Sequence, residues 1–160
     1  MANIKQISGV SVKKILSAKF YLFKYITKKP NEYYNIYPLV FTLGKINSDL
    51  FLGIDFHYIP PKQRIPLLYE MYELTPSLVT SPLRFSSIFK KLMVSVRKYR
   101  PALVAFKRYN ISSIIAGKMI KIDPADWETA LLEPVEKFVS GTRQVSTKKV
   151  WKDSLVKQRQ

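Results

Sequence analysis

The chain has 160 residues, with 27 Lys and Arg, 11 Asp and Glu and one His, which gives a formal net charge of +16. Its 47% of hydrophobic and 13% of aromatic residues suffice for a core of normal size, so the charge does not indicate a wholly disordered polycation. The absence of Cys excludes disulfides, thiolate nucleophiles and metal sites built on Cys. We expect one compact domain with basic flanks.

The positive charge is concentrated in two segments that contain no acid. Residues 1–31 hold seven Lys, and residues 80–122 hold ten Lys or Arg. The segment between them is slightly acidic, residues 123–138 carry a net charge of −4, and residues 139–160 carry +5. A codon bias toward Lys would not exclude Asp and Glu from 43 consecutive residues. The pattern therefore indicates that the acid-free segments face a polyanion.

Aromatic and β-branched residues predict strands in the first part of the chain. The aromatic run 19–26 is the first, and the runs 36–43 and 50–59 form a hairpin across a polar connection that contains Gly. Pro38 has no N–H to donate, so we expect it at the start or edge of its strand. Gly53 indicates a bulge or a close backbone approach.

Helical spacing of apolar residues predicts two helices in the middle of the chain. The first covers about 62–74, and the prolines in 75–83 predict a loop after it. The second covers 85–99 and ends before Pro101. Its arc opposite the apolar stripe is cationic and carries Lys90, Lys91, Arg97 and Lys98.

Shorter elements follow in the last third. Residues 102–109 form a strand or a short helix, and the alternation in 117–122 predicts a strand. Asp123 is a helix N-cap followed by Pro, which predicts a short helix around Trp127 that the next proline stops. From residue 146 onward we expect an amphipathic helix that docks on a neighbour.

Residues that carry enzyme chemistry are few. His57 has no second His or Cys as a partner, so we expect a structural His with a satisfied ring nitrogen. Capping and the helix dipole explain Asp123, Asp126 and Glu128 better than a divalent metal does. No acid is followed two positions later by Lys, as in many metal-dependent nucleases, and the five Gly form no phosphate loop. We expect no enzyme activity, cofactor, metal or small-molecule substrate.

Membrane and export signals are not predicted either. The longest uncharged, mostly apolar stretch is 33–44. It is shorter than the roughly 20 residues that a membrane-spanning helix needs. Residues 1–14 lack the apolar block of a secretory signal. We therefore expect no membrane partner.

The strongest positive indication is a cationic surface interleaved with aromatic residues. Such cations can neutralise phosphates along a groove, with Tyr99 and Tyr109 nearby for stacking or phosphate hydrogen bonds. An acidic protein region would suit the same cations, so the polyanion is either DNA or an acidic protein. Trp151 is the candidate for docking on a partner. The candidate binding cations are Lys13, Lys14, Arg84, Lys90, Lys91, Arg97, Lys98, Arg100, Lys107 and Arg108.

Five segments spread over most of the chain form a recognisable set. They read FYLFKY at 20–25, YY at 33–34 with YPLV at 37–40, GIDFHYIP at 53–60, WETALLEP at 127–134 continuing to 138, and VWKDS at 150–154. Together they resemble a family of small basic virion-associated proteins of T4-like tailed bacteriophages, described as DNA end-protector or minor structural proteins. The resemblance implies a small β-barrel of SH3-like type with helical additions, and it implies no catalytic residue.

We predict an α+β fold: a small antiparallel β-barrel (SH3-like) with two or three packed helices and extended basic termini. A single domain covers 19–139, with a basic N-terminal arm at 1–18 and a basic tail or docking helix at 140–160.

The favoured function is that of a non-enzymatic structural protein of a tailed-phage particle, at the neck, tail or capsid interior. Its basic surface would contact the DNA backbone or an acidic neighbouring subunit, and its partners would be other virion proteins. It would reside in the virion, and in the host cytoplasm during assembly. The alternative is a free nucleic-acid-binding regulator or a DNA-end-protecting protein in the infected cytoplasm. An enzyme such as a nuclease is the least favoured class.

Overall fold

The computed structural model describes residues 10–11, 14–27, 33–80 and 104–157. Within these ranges, nine strands and three α-helices follow one another. The strands are β1 (Val10–Ser11), β2 (Phe20–Tyr25), β3 (Tyr34–Asn35), β4 (Leu39–Lys45), β5 (Leu50–Asp55), β6 (Phe106–Asn110), β7 (Ile114–Lys121), β8 (Phe138–Ser140) and β9 (Arg143–Val145). The helices are α1 (Pro61–Thr80), α2 (Trp127–Leu132) and α3 (Thr147–Lys157).

Six strands form one antiparallel sheet in the order β1-β7-β2-β4-β5-β6. The predicted strand 19–26 is confirmed as β2, and the predicted hairpin is confirmed as β4–β5, with Phe41 opposite Ile54. Residues 102–109, predicted as a strand or a short helix, contribute the strand β6. The strand predicted at 117–122 is confirmed as β7, which begins three residues earlier than predicted, at Ile114.

Two residues that sequence patterns singled out in this hairpin have the expected positions. Pro38 lies directly before β4, where its missing N–H leaves the ladder intact. A Cβ on Gly53 would collide with the Val40 side chain on the neighbouring strand, so this Gly marks a close approach. The irregularity in the ladder lies on β4, between Thr42 and Gly44. Gly53 therefore allows the Val40 side chain to pack against the backbone of β5.

The six-stranded sheet curls until β2 meets β6. These strands are separated by β4 and β5, yet the ring centroid of Tyr109 lies 5.4 Å from that of Phe23 and 5.2 Å from that of Tyr25. The Tyr25 hydroxyl oxygen also accepts a hydrogen bond from the backbone N–H of Asn110 at 3.2 Å. The sheet is therefore an antiparallel half-barrel lined with aromatic rings. The α+β class is confirmed, and the SH3-like type stays a prediction.

Helices cover the outer face of this half-barrel. The ring of Phe20 makes edge contacts with Phe41, Phe56 and Trp127 at centroid distances of 5.1–5.2 Å. Aromatic pairs of this geometry add to the free energy of burying the rings. The helices contribute Leu67, Leu68, Met71, Leu131 and Val150 to the same core.

A second, three-stranded antiparallel sheet, the small sheet, has the order β3-β8-β9. Phe138 on its central strand lies opposite Val145, and α3 begins two residues after that strand pair ends. No pattern in the sequence indicated this sheet. Its strands have two or three residues each, shorter than the roughly four to eight over which alternation can be recognised.

α1 is longer than the sequence predicted. A loop was expected from residue 75 to 83, but the helix continues to Thr80, so the loop prediction is wrong for 75–80. Pro76 removes one N–H and crowds the preceding turn at a cost of about 3 kcal/mol. Only one backbone hydrogen bond is lost, and the neighbouring turns persist. Residues 81–103, with the predicted helix 85–99, lie outside the described residues.

β5 ends four residues before the predicted boundary. The Asp55 side chain accepts a hydrogen bond from the backbone N–H of His57 at 3.0 Å and caps a 3-10 turn at Phe56–Tyr58. A cap of this kind takes the chain out of the extended conformation. Sequence alternation does not report it, because the run is apolar on both sides of the turn.

The short helix predicted around Trp127 is confirmed as α2, but its own N-cap residue, Asp126, makes no side-chain capping hydrogen bond. The Asp123 side chain accepts from the N–H of Ala125 at 2.9 Å and caps a short 3-10 turn that leads into α2. The predicted terminal helix is confirmed as α3. Residues 10–11 of the expected N-terminal arm pair with β7 as β1, so part of this flank joins the sheet. No helix in the described ranges is long and apolar enough to span a membrane.

Candidate nucleic-acid interface

A buried polar network connects the half-barrel to the small sheet. Asn35 donates from Nδ2 to Asp55 Oδ2 at 3.1 Å and lies 2.9 Å from His57 Nδ1. Its Oδ1 accepts from the backbone N–H groups of Tyr37 and Lys137 at 3.1 and 3.0 Å. One amide side chain thus fixes the starts of β4 and β8 against the end of β5.

Burial determines the protonation of this network. It raises the pKa of Asp55 to about 7, against opposing hydrogen bonds from Asn35, His57 and Leu39. Burial, with help from the Arg64 charge, holds the pKa of His57 well below its usual value. His57 is therefore neutral near pH 7 and, because its Nδ1 faces the Asn35 amide, carries its proton on Nε2. The expected satisfied ring nitrogen is confirmed at Nδ1.

The outer edge of the network contains buried polar atoms without a hydrogen bond. They are His57 Nε2, Arg64 Nη2 and Glu136 Oε2, and the first and last are 3.9 Å apart. Arg64 is only 2% exposed. Its Nε donates to the Ile59 carbonyl at 2.8 Å and its Nη1 to the Leu131 carbonyl at 2.5 Å. The guanidinium thus connects the start of α1 to the end of α2.

α3 is anchored to this part of the half-barrel. The Trp151 indole N–H donates to the His57 carbonyl at 2.9 Å. The Ser154 hydroxyl oxygen lies 2.9 Å from the Val150 carbonyl oxygen of its own helix and 3.2 Å from the Tyr58 carbonyl oxygen, so its one proton is shared between them. The Arg64 guanidinium lies 5.6 Å from the centroid of the Trp151 ring. Trp151, expected to dock on a partner, contacts its own chain and is half-buried. This anchoring gives α3 a defined position beside the small sheet.

A cleft opens between the small sheet and α3. Its volume is about 530 Å³, and Tyr33, residues 140 and 143–146, Lys149 and Asp153 line it. Lys149 Nζ lies 3.0 Å from Asp153 Oδ2, and the Tyr33 hydroxyl donates to the same oxygen at 3.1 Å. The Lys149 ammonium also lies 5.8 Å from the centroid of the Tyr33 ring. A cation is thus held at a defined place in the wall of the cleft.

The surface around this cleft is basic. Residues 137–157 include six Lys or Arg and a single acid, Asp153. Arg143, Lys148 and Lys152 are exposed. Within the described ranges Arg143 makes no ion pair, so its charge is available to a ligand. The arrangement can bind a polyanion by charge and hydrogen bonds.

The structure locates few of the cations predicted from the sequence. Lys14 and Arg108 are exposed. Lys107 precedes Arg108 on β6, and its ammonium lies 4.4 Å from the centroid of the Tyr58 ring. The expectation that Tyr109 stacks on bases or bonds phosphates is wrong, because its ring is buried against Phe23 and Tyr25 inside the half-barrel. The other predicted cations lie outside the described residues: Lys13, Arg84, Lys90, Lys91, Arg97, Lys98 and Arg100.

The cleft itself was missed by residue-level prediction. Its signals were weak: the net charge of +5 in 139–160, and Tyr33 within a quoted tyrosine pair. Tyr33 and Lys149 are 116 positions apart in the chain. Tyr33 directly precedes β3, which pairs with β8, and its hydroxyl donates to Asp153 of α3, so tertiary contacts bring the two residues together. A sequence pattern carries no information on that pairing.

Comparison with known proteins identifies the family. No curated protein and no solved structure gives a significant match. A family model described as the phage T4 terminal DNA protecting protein matches residues 2–154, which include both sheets and the residues that line the cleft. The resemblance noted in the sequence is thereby confirmed. The chain belongs to the phage T4 terminal DNA protecting protein family.

Proposed function

We propose that this protein binds the ends of linear duplex phage DNA and shields them from exonucleases without catalysing a reaction. The observation that carries the proposal is the family match over residues 2–154. The formal charge of +16 supports it, since duplex DNA is a dense polyanion. This function is closer to the alternative considered from the sequence than to a neck or tail component.

To protect a DNA end, the protein must stay bound to it. An exonuclease starts at a terminus, so a bound protein blocks it by excluded volume. Affinity comes largely from Lys and Arg that displace counterions from phosphates. Because internal phosphates are identical in every part of a duplex, such contacts alone do not select an end. The proposal therefore needs contacts specific to a terminus in addition to a basic surface.

We place one contact surface around the cleft, where Arg143, Lys148, Lys149 and Lys152 are collected. A second is proposed on the predicted helix 85–99, whose cationic arc carries Lys90, Lys91, Arg97 and Lys98. The exposed Arg108 on β6 is a third candidate contact. Each phosphate contact contributes about −0.9 to the slope of log K against log salt concentration. Charge reversal on either surface should therefore reduce the salt dependence of DNA binding.

The test is protection of linear duplexes from a double-strand exonuclease. A short and a long fragment are compared at equal concentrations of ends, and a duplex with both ends closed by hairpins competes for the protein. If the protein binds ends, protection of the DNA depends on the ratio of protein to ends and is the same for both fragments. A need for more protein on the longer fragment, or equal competition by the closed duplex, would contradict end binding and favour a general DNA-binding protein.

We further propose that the protein travels in the particle with the DNA whose ends it covers. Resemblance to virion-associated proteins supports this location, and acidic neighbouring subunits would be additional partners there. Mass spectrometry of purified particles tests it. Presence in a fixed ratio to the genome supports carriage in the virion. Absence from particles would place the protein in the infected cytoplasm instead.

A further inference from the structure

We propose that the cleft between the small sheet and α3 binds the terminal nucleotide of a DNA end, with its phosphate monoester between Arg143 and Lys149. The inference rests on the proposed function and supplies the terminus-specific contact that this function requires. The cleft residues come from β8, β9, α3 and Tyr33, which directly precedes β3, and the anchoring of α3 through Trp151 preforms the site.

The size of the cleft suits a single nucleotide. Its volume of about 530 Å³ lies within the range of pockets that enclose small molecules. A duplex end is far too wide to enter such a space, so the occupant would be one nucleotide displaced from the terminal base pair. Unpairing is cheapest at a terminus, where only one neighbour stacks on the base. The cleft thus favours ends over internal positions by shape.

Two cations, Arg143 and Lys149, line the cleft. Arg143 follows the turn between β8 and β9, and Lys149 lies in the first turn of α3. Asp153 does not cancel them both: it pairs with Lys149 and accepts from the Tyr33 hydroxyl, which fixes the ammonium in place. Arg143 makes no ion pair with any residue that the structure describes. A planar guanidinium matches two phosphate oxygens at once.

The N-terminal end of α3 adds to the same potential. Ser146 caps the helix through a hydrogen bond from the Lys149 N–H at 3.2 Å. The first turn contains no acid and includes Lys148 and Lys149. Positive side chains at the positive end of a helix dipole are unfavourable in isolation. An anion bound in the cleft would relieve that repulsion.

Charge also distinguishes a terminal phosphate from an internal one. A phosphate monoester near pH 7 carries about −1.5 to −2, whereas an internal diester carries a single negative charge. Two cations beside a helix N-terminus therefore attract the terminal group more strongly. Tyr33 lines the cleft and offers an aromatic surface for the base. Phosphate and base together define a terminal nucleotide.

The test compares duplexes that have one hairpin-closed end and one open end. The open end carries a 5′-phosphate, a 3′-phosphate or hydroxyls only, and affinity is measured by fluorescence anisotropy. We expect at least about tenfold tighter binding to one phosphorylated end, the gain of a charge-assisted contact. The two phosphate positions distinguish which strand enters the cleft.

Variants assign the preference to the cleft. Arg143→Gln and Lys149→Gln should lose the preference for phosphate, while Arg143→Lys and Lys149→Arg should retain part of it. Lys152→Gln is the matched control, since Lys152 is an exposed cation on α3 outside the cleft lining. It should weaken binding to all duplexes equally. Circular dichroism verifies that each variant is folded.

The outcomes separate this inference from the proposed function. Equal wild-type affinity for phosphorylated and hydroxyl ends, with exonuclease protection intact, would overturn the cleft assignment alone. A phosphate preference that survives both Gln substitutions in folded proteins would also overturn it. Failure of the wild type to prefer an open end over a duplex closed at both ends would overturn the end-binding function itself.

Discussion

The half-barrel and the region formed by the small sheet and α3 are stabilised in different ways. On both faces of the half-barrel sheet, aromatic rings pack on one another, and few charged side chains lie among them. α3 buries Val150 in the same core, but it is also fastened to the half-barrel by polar contacts, chiefly the hydrogen bond from the Trp151 indole N–H to the His57 carbonyl. A small region that is anchored in part by hydrogen bonds can therefore carry several cationic side chains without placing charge in the hydrophobic core. Four predictions test this division, from the largest expected effect on stability to the smallest.

Loss of a ring from the half-barrel core should have the largest effect. Phe20 is fully buried among three aromatic rings. We expect Phe20→Ala to lower the free energy of unfolding by about 3–5 kcal/mol. Chemical denaturation measures the change. Leu132→Ala is the control, because Leu132 is 56% exposed and its loss should change stability by less than about 0.5 kcal/mol. Similar effects in both variants would contradict the proposed core.

Titration of the buried network should be revealed by removing one partner at a time. Asp55 has a folded pKa of about 7 against an unfolded value of 3.8, so it favours folding when protonated, and this contribution is lost as pH rises from 4 to 7. His57 has its folded pKa well below 6.5, so its contribution increases as pH rises toward 6.5. In the wild-type protein the two trends oppose each other.

Single variants should separate the two trends. In His57→Gln the free energy of unfolding should fall between pH 4 and 7, by up to about 4 kcal/mol if the Asp55 shift is fully expressed. In Asp55→Asn it should rise with pH up to 6.5. Urea denaturation at a series of pH values measures both. Parallel pH profiles for the two variants would show that these groups are not buried as described.

A Cβ at position 53 should strain the hairpin of the half-barrel. Because it would collide with the Val40 side chain and approach the Phe41 carbonyl, we expect Gly53→Ala to cost about 1–3 kcal/mol. Thermal unfolding measures the loss. Val40→Ala in the same chain should recover part of it by making room. If the double variant is less stable than the sum of the single variants predicts, the collision is not the cause.

Weakening the anchor of α3 should affect the basic region more than the half-barrel. Trp151→Phe keeps an aromatic ring but removes the donor to the His57 carbonyl, at a cost of about 1 kcal/mol. Hydrogen exchange should become faster in α3 while β2 and β4 keep their protection. Affinity for DNA ends should decrease with it. Uniform loss of protection over both regions would mean that they unfold as one unit.

The sequence predicted the half-barrel better than the region formed by the small sheet and α3. The hairpin β4–β5 and strand β2 were predicted because each run is long enough to show aromatic and β-branched enrichment. Asp123 and the following Pro alone predicted a helix start, which the structure places at the capped 3-10 turn that leads into α2. The small sheet was missed, since two-residue and three-residue strands have no periodicity. The extension of α1 past Pro76 was missed because a proline usually predicts the end of a helix, and the local sequence does not show that the turns on either side persist.

Properties that depend on residue identity and local order can be read without a structure. These are the charge of +16, its segregation into acid-free segments, the main strands of the half-barrel and the family resemblance. Tertiary structure alone decided which distant residues meet. Burial beside Asn35 raises the pKa of Asp55 and lowers the pKa of His57, so that the His57 ring is neutral. The pairing of β3 with β8 and the seating of α3 bring Tyr33 to Lys149. Both depend on contacts between residues far apart in the chain, which no local pattern records.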